Sequence, residues 1–368
     1  METTVGRNDI FTALQSLLKV IPNKATLPSL EMVHIETDGG GPIRLSGTNL
    51  DASLRIDIDA HTEAQGAALA PAKMLKNILN GAPKGAHIHL TAEQEGNSPM
   101  TTLEFGKSSY SAYGLDPSEF PTMPEVEGVA FDTGNLATVL DKVLFAASTE
   151  ESRPMLQSVY FEIDGSDVYA VATNGHVLAR YQVSASVRDD DAQSFIVPAS
   201  ELKAALKWKH TEVGIQGRFC AFSSDESVLT IRALEGPYPN YRQVIPTDNG
   251  KTFTTDRKAL EAAAKRLSVI ASDQSGRVVL SCDKECVTLS AENPSAGKAT
   301  EMLDGIYDGG EDDAGIDIGF DVRYILNILK RFDGDTVTIK MRAPERAAVI
   351  ESDGDLDYMC LLMPLRVV

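Results

Sequence analysis

Cysteine is scarce in this chain of 368 residues: there are four, at positions 220, 282, 286 and 360. So few thiols exclude a disulfide-stapled secreted scaffold and fit a reducing compartment. Missing too is any apolar run approaching the roughly 20 residues that a bilayer-spanning helix needs. The opening stretch, METTVGRNDIF, lacks the basic and apolar regions of a secretory leader. The expectation is a cytoplasmic protein with no membrane partner. Basic charge is also short, with 34 Lys and Arg against 53 Asp and Glu, a net charge of −19. Taken whole, that balance argues against a nucleic-acid partner.

What is present is a globular composition, 43% hydrophobic and 24% charged, on a chain long enough for two or three domains. Helix-like segments occur in matched pairs. The first members are NDIFTALQSLLKVI (8–21), GNLATVLDKVLFAA (134–147) and DRKALEAAAKRLSVI (256–270). Ile10, Leu14 and Leu18 recur 126 positions on as Leu136, Leu140 and Leu144, and again as Leu260, Ala264 and Leu267. Each segment opens on an Asn or Asp suited to an N-cap. The second members, APAKMLKNILNG (70–81), VPASELKAALKWK (197–209) and FDVRYILNILKRF (320–332), repeat at about the same spacing. Pro71 and Pro198 stand where helices begin.

A third marker follows strand-like runs: Asn49 in LSGTNLDAS, Asn174 in VATNGHVLA and Asn293 in LSAENPSAG, spaced by 125 and 119 residues. Alternating segments such as VYFEIDGSDVYAVAT read as antiparallel sheet. Pro-rich connections, LDPSEFPTMPEVEG (115–128) and LEGPYPNYRQVIPTDNG (234–250), fall where the period places them. The chain therefore reads as an α+β protein of three repeats, each with two helices packed on antiparallel sheet. The domains expected are 1–126, 127–251 and 252–368.

Charge is not spread evenly over this repeat. Counted over residues 7–24, 72–84, 133–153, 200–210, 255–267 and 321–333, the six helical segments together carry +9, which leaves about −28 on everything else. If the helices share a side, that side is basic on an acidic body and suits a phosphate backbone. Helix surfaces also favour Lys and Arg for their own sake.

No constellation supports catalysis. His176 follows Asn174-Gly175, a two-residue hairpin signal, with no Ser or Cys placed to partner it. The CDKEC stretch (Cys282, Cys286) has no second His/Cys pair for zinc. The acidic runs RDDDA (188–192) and EDDAGID (311–317) lack calcium-loop spacing. DGGGP (38–42) precedes neither a helix nor a Lys-Ser/Thr, so it is no phosphate loop. The sequence calls for no enzyme activity, metal or cofactor.

VATNGHVLA, GPYPNYRQVIP, GFDVRYILNIL and MPLRV, in this order, resemble the bacterial DNA polymerase III beta subunit, the replicative sliding clamp. TLPSLEMVHIE and LSGTNL extend the resemblance to the first repeat. It implies a DNA clamp fold in which two chains join head-to-tail as a homodimeric ring. The helices then face double-stranded DNA without reading its sequence, and the sheets face outward. It also implies a client pocket for short hydrophobic motifs of the DNA polymerase III alpha subunit, the clamp-loader complex, other DNA polymerases and repair proteins. An alternative is a clamp-derived peptide-binding adaptor that is never loaded on DNA.

Carried over by resemblance, the pocket comprises Leu156, Thr173, Gly175, His176, Leu178, Pro239, Val244, Tyr324, Met363, Pro364, Leu365 and Arg366. Leu361 and Leu362 lead into its last segment. Three positions depart from the family pattern. Val177 and Gln243 stand where Arg is frequent, and Asp321 where Asn is. That predicts a rim on which acidic client residues contribute less. On the DNA-facing side, Lys24, Lys73, Arg153 and Lys207 match family positions. Lys76, Lys203 and Lys330 are assigned from charge. The apolar ending LLMPLRVV (361–368) is expected to complete the last strand and then turn to form pocket wall.

Overall fold

The computed structural model describes residues 1–95, 98–188, 193–271, 276–310 and 315–366. They group into two compact units that divide the middle repeat between them. The first unit holds residues 1–137, 184–193 and 200–235, and the second holds 138–183, 194–199 and 236–368.

All six expected helices form: α1 (Arg7–Leu17), α2 (Ala72–Gly81), α3 (Leu136–Val143), α4 (Ala199–Leu202), α5 (Arg257–Leu267) and α6 (Val322–Leu329). The buried stripe of α1 runs Ile10, Ala13, Leu14, Leu17 and leaves Leu18 half-exposed as the C-cap. The helix starts a residue earlier than Asn8, and positions 10, 13, 14 and 17 share one face at the 3.6-residue period. That early start has a cause. Arg7 is buried, and its Nε donates to the Leu79 carbonyl at the end of α2 at 2.8 Å. Arg257, opening α5, likewise donates to the Leu329 carbonyl ending α6 at 3.2 Å. Each guanidinium supplies donors to a neighbouring helix's orphaned C-terminal carbonyls. The expected Asx caps hold elsewhere: Asn135 accepts from the Ala137 amide at 3.0 Å, and Asp256 from Ala259 at 2.6 Å. In the middle repeat, α4 is only four residues long, and the chain then tightens into a 3-10 turn at Ala205–Lys207.

Each unit is built on a nine-stranded antiparallel sheet in which two repeats meet. In the first unit, Ala52–Ile58 pairs with Ser227–Arg232, so that Leu54 faces Leu229 and Ala52 faces Ile231. In the second, Val177–Val183 pairs with Tyr358–Leu362, with Leu178 opposite Leu361. Those side chains are buried, and each such burial is worth about 1.5–3 kcal/mol for a large aliphatic residue.

Beside its large sheet, the first unit carries a five-stranded sheet ordered Ala60–Ala64, Glu2–Gly6, His87–Glu95, Ser98–Phe105, Ser108–Tyr113. The second carries a four-stranded one ordered Gly297–Leu303, Val287–Asn293, Arg277–Cys282, Ile316–Asp321.

The three marker asparagines do the same local work. Asn49 Oδ1 accepts from the amides of Asp51 and Ala52, Asn174 Oδ1 from His176 and Val177, and Asn293 Oδ1 from Ser295 and Ala296. Each is an Asx turn closing a hairpin. The DGGGP stretch is also a hairpin turn, between Met32–Thr37 and Ile43–Thr48.

Candidate client-binding site and basic surface

The second unit assembles the proposed pocket around the Thr173–Val177 hairpin. Gly175 sits at φ 89°, a left-handed conformation that glycine adopts without strain. Thr173 Oγ1 donates to the Val177 carbonyl at 2.7 Å and accepts from the Gly175 amide at 3.1 Å. The turn is thereby locked, with Gly175 and His176 exposed at its tip. Asn174 then reaches out of its hairpin, and its Nδ2 donates to the Tyr324 hydroxyl at 3.1 Å. The His176 and Tyr324 rings stack with centroids 6.3 Å apart.

Tyr324 stands in the first turn of α6, whose N-cap is Asp321. Asp321 accepts from the Arg323 amide at 2.9 Å and from the Arg323 guanidinium at 2.5–3.1 Å. That carboxylate, buried and paired, holds the Arg323 pKa above its ordinary value. Asp321 is therefore a cap and not a free negative charge on the rim.

The segment 361–366 lies between the hairpin and this helix start. The Met363 amide donates to the His176 carbonyl at 2.8 Å, and the Leu365 amide to the Gly319 carbonyl at 2.8 Å. Arg277 donates to the Arg366 carbonyl at 3.1 Å. Leu178 and Leu361 belong to a core cluster with Tyr169, Val171 and Tyr241. Tyr160, Tyr238, Ile245 and Met359 pack against it, and Val244 and Met363 stand 54% and 38% exposed.

The connection carrying Pro239, Gln243 and Val244 is tied down by its aromatics. Tyr238 stacks on Tyr160 at 4.9 Å, and Tyr241 bonds Glu162. Burial and that carboxylate push the Tyr241 hydroxyl up to about 12. Gly236, at φ 120°, lies against Met155 of the turn that presents Leu156.

One expectation needs correction. Val177 is 1% exposed and pairs with Leu362 of the last strand, so it belongs to the sheet and not to the rim. The reason is register: in a strand alternate residues face opposite sides, and Val177 falls on the inner one. Sequence reasoning also missed Asn174, Gly319 and Arg277 as parts of this site. Asn174 was visible as a marker, but its turn role accounted for it fully. Gly319 acts through its backbone, and Arg277 lies 89 residues from its partner.

The site offers exposed apolar side chains, a stacked aromatic wall and fixed backbone. The nearby hydroxyls of Thr173 and Tyr324 are both engaged, so no nucleophile–base pair arises among these residues. Elsewhere, Cys282 is buried and its thiol is pushed up to about 12, chiefly by burial. Residues 189–192 and 311–314 of the acidic runs lie outside the described residues.

The basic positions are distributed over both units. In the first, Lys73 and Lys76 stand on α2, Lys73 exposed and Lys76 half-buried, and Lys24 is exposed beyond α1. Lys203 is exposed after α4, and Lys19 donates to its carbonyl at 2.9 Å, which adds a lysine the sequence reading passed over. The Lys207 side chain lies outside the described residues. In the second unit, Lys330 caps α6, and Arg153 pairs with Glu150 at 3.4 Å.

Comparison with known proteins places this geometry. Models of the DNA polymerase III beta subunit match in chain order: the N-terminal domain over residues 1–124, the central domain over 130–240 and the C-terminal domain over 242–366. The chain belongs to the DNA polymerase III beta subunit family. A beta sliding clamp from Caulobacter vibrioides is 28% identical over 379 residues, covering all of both chains. The crystal structure of the Caulobacter crescentus beta sliding clamp, with polyethylene glycol in its putative beta-motif tethering region, superposes with a TM-score of 0.91. It is 28% identical and covers 100% of this chain and 99% of that one. A Bartonella birtlesii sliding clamp bound to griselimycin gives 0.90 at 27% identity, covering both chains fully.

The fold is the three-domain clamp fold, and the beta clamp family is one of non-catalytic processivity factors of DNA replication. Among the described residues no helix is long and apolar enough to cross a membrane.

Proposed function

We propose that two copies of this chain close head-to-tail into a ring around duplex DNA and tether the replicative polymerase to it through the site in the second unit. The three repeats, 1–126, 127–251 and 252–368, would each be one clamp domain. The observation that carries the reading is the 361–366 segment held between the Asn174 hairpin and α6, with the apolar Met363 exposed on it. An apolar docking surface with a few fixed polar groups is what anchors a short hydrophobic peptide. The alpha subunit of DNA polymerase III, the clamp loader and repair proteins are its expected clients. The tethering region reported for the Caulobacter relative supports the same reading.

Ring closure has candidate edges in each unit. Ser108–Tyr113 ends the five-stranded sheet with Tyr113 67% exposed, and Gly297–Leu303 ends the four-stranded sheet with Met302 74% exposed. Unpaired strand edges with apolar residues are ready templates for another chain. The exposed lysines on and beside the helices supply weak, interchangeable phosphate contacts, which hold DNA without stopping a slide.

The deciding experiment loads the protein on closed circular DNA and then cuts the circle. Retention until cutting supports the ring, whereas release before cutting favours an adaptor that is not loaded. Deleting Met363–Val368 should spare retention and abolish polymerase stimulation; unchanged stimulation would sink the pocket assignment. Gln243 is exposed, so Gln243→Arg tests the rim, with tighter binding of an acidic-flanked peptide as the expected result. Val177→Arg does not test it, because that position is core.

A further inference from the structure

We propose that Glu2, Glu63 and His89 form a binding site for a divalent transition-metal ion of the zinc class, on the outer face of the first unit's five-stranded sheet. The three residues come from three adjacent strands, Ala60–Ala64, Glu2–Gly6 and His87–Glu95. One ligand atom from each lies within 4.8 Å of the other two. His89 Nε2 and Glu2 Oε1 are 3.3 Å apart. Two ligands at about 2.1 Å from one tetrahedral ion stand about 3.4 Å apart, so the spacing suits a shared metal.

The sheet is arranged to bring them together. Thr4 pairs with His61 on one side and His89 on the other, which puts these side chains on one face. The register then shifts between Glu2 and Thr3, so that Glu2 pairs with Ala64 and Thr3 with Thr62. Glu63 is left as the extra residue of a bulge, a device that re-aims a side chain. The opposite ring nitrogen of His89, Nδ1, is held by Thr4 Oγ1 at 3.2 Å. A hydrogen bond donated by the far nitrogen is how metal-ligating histidines are oriented.

Two carboxylates and one imidazole offset a 2+ charge and leave a position for water. The imidazole favours zinc over calcium or magnesium, which prefer all-oxygen sets. The plainer account is a surface His89–Glu2 ion pair, in which Glu63 has no part.

The test uses the full chain with its native N-terminus, stripped of metal and dialysed against zinc chloride, with bound zinc measured by elemental analysis. The expected result is one zinc per chain. Affinity should fall at least roughly tenfold in Glu63→Gln and in His89→Gln, a loss of the size that follows removal of metal-site groups. Glu63 is exposed, so its substitution leaves the fold intact, which circular dichroism checks. Cys286→Ser should bind as the parent does. No zinc bound, or parental affinity in Glu63→Gln, overturns the site. Loss of binding in Cys286→Ser with none in His89→Gln overturns it as well.

Discussion

The hairpins at Asn49 and Asn174 occupy the same place in successive repeats and close in the same way, yet they meet different neighbours. In the first unit the Asn49 side-chain amide extends to Glu201 at 3.4 Å, and the turn residue after it is Leu50, exposed and at φ 77°. In the second unit the Asn174 amide reaches Tyr324, the next residue is glycine, and the 361–366 segment lies alongside. The repeat supplied one scaffold, and the third repeat's end lies alongside the second copy of it. The difference extends to the buried titratable groups that the middle repeat gives each unit: neutral His210 to the first and charged Lys142 to the second.

The largest expected effect lies in the second unit. Lys142 is 6% exposed, and its Nζ donates to the Arg331 carbonyl at 2.6 Å, Asp333 at 2.8 Å and Asp355 at 2.6 Å. Burial acts to lower the ammonium pKa, but the two carboxylates outweigh it and hold it above the ordinary lysine value. Removing one partner of such a network leaves the buried Asp355 without its counter-charge. Lys142→Met should therefore cost about 3–5 kcal/mol, read as a lowered denaturant midpoint of the full chain. A shift below 1 kcal/mol would show that the network is dispensable.

The first unit should instead answer to pH. His210 is fully buried, with Nε2 3.0 Å from the Ser227 hydroxyl, and burial pushes its pKa from 6.5 down to about 4. Because the folded state resists protonation, the unfolded chain binds the extra proton first. Stability from the neutral ring is present above pH 6.5 and is lost as pH falls toward 4. The full loss is about 3 kcal/mol. His210→Gln should remove this slope between pH 6.5 and 5, measured as the difference from the parent. Parallel pH profiles would contradict the assignment.

Much of this division was written in the sequence, though not all. The six helices, the asparagine turns and the Pro-rich connections follow from local chemistry, so their period was enough to find them. Arg7 and Arg257 were not readable as helix caps, because each meets carbonyls more than 70 residues away. Nor was the pairing of Leu54 with Leu229, or of Leu178 with Leu361. An apolar alternation states that one face is buried and leaves open which strand lies beside it. Val177 was placed on the rim because the family frequently carries Arg there, and its burial against the neighbouring strand was not readable. The segment 361–366 stood out for its apolar character, but its partners, His176 and Gly319, contribute backbone carbonyls that no side chain announces.

The asparagines themselves allow a matched test. Asn49→Ala and Asn174→Ala each remove two turn hydrogen bonds, and each should cost about 1–2 kcal/mol of stability. Only Asn174→Ala also frees Tyr324, so only it should weaken binding of a hydrophobic client peptide, by several-fold in a fluorescence titration. Equal affinities in the two variants would mean that the hairpin positions nothing for the client.

The smallest effect concerns the residue after each asparagine. Leu50 holds a left-handed conformation that costs an L-residue about 1–2 kcal/mol, whereas Gly175 meets the same demand without a Cβ. Leu50 is exposed, so removing its side chain sacrifices little burial. Leu50→Gly should then relieve the strain, partly offset by the greater freedom of glycine in the unfolded chain. The net expectation is a gain of about 0.5–1 kcal/mol, with client binding unchanged because the proposed site lies in the other unit. A loss of stability in calorimetry would mean that Leu50 earns its strained conformation through contacts of its side chain. The reciprocal change, Gly175→Leu, should cost at least as much as Leu50→Gly gains and should weaken client binding as well, since it rebuilds the first hairpin's strain at the tip of the second.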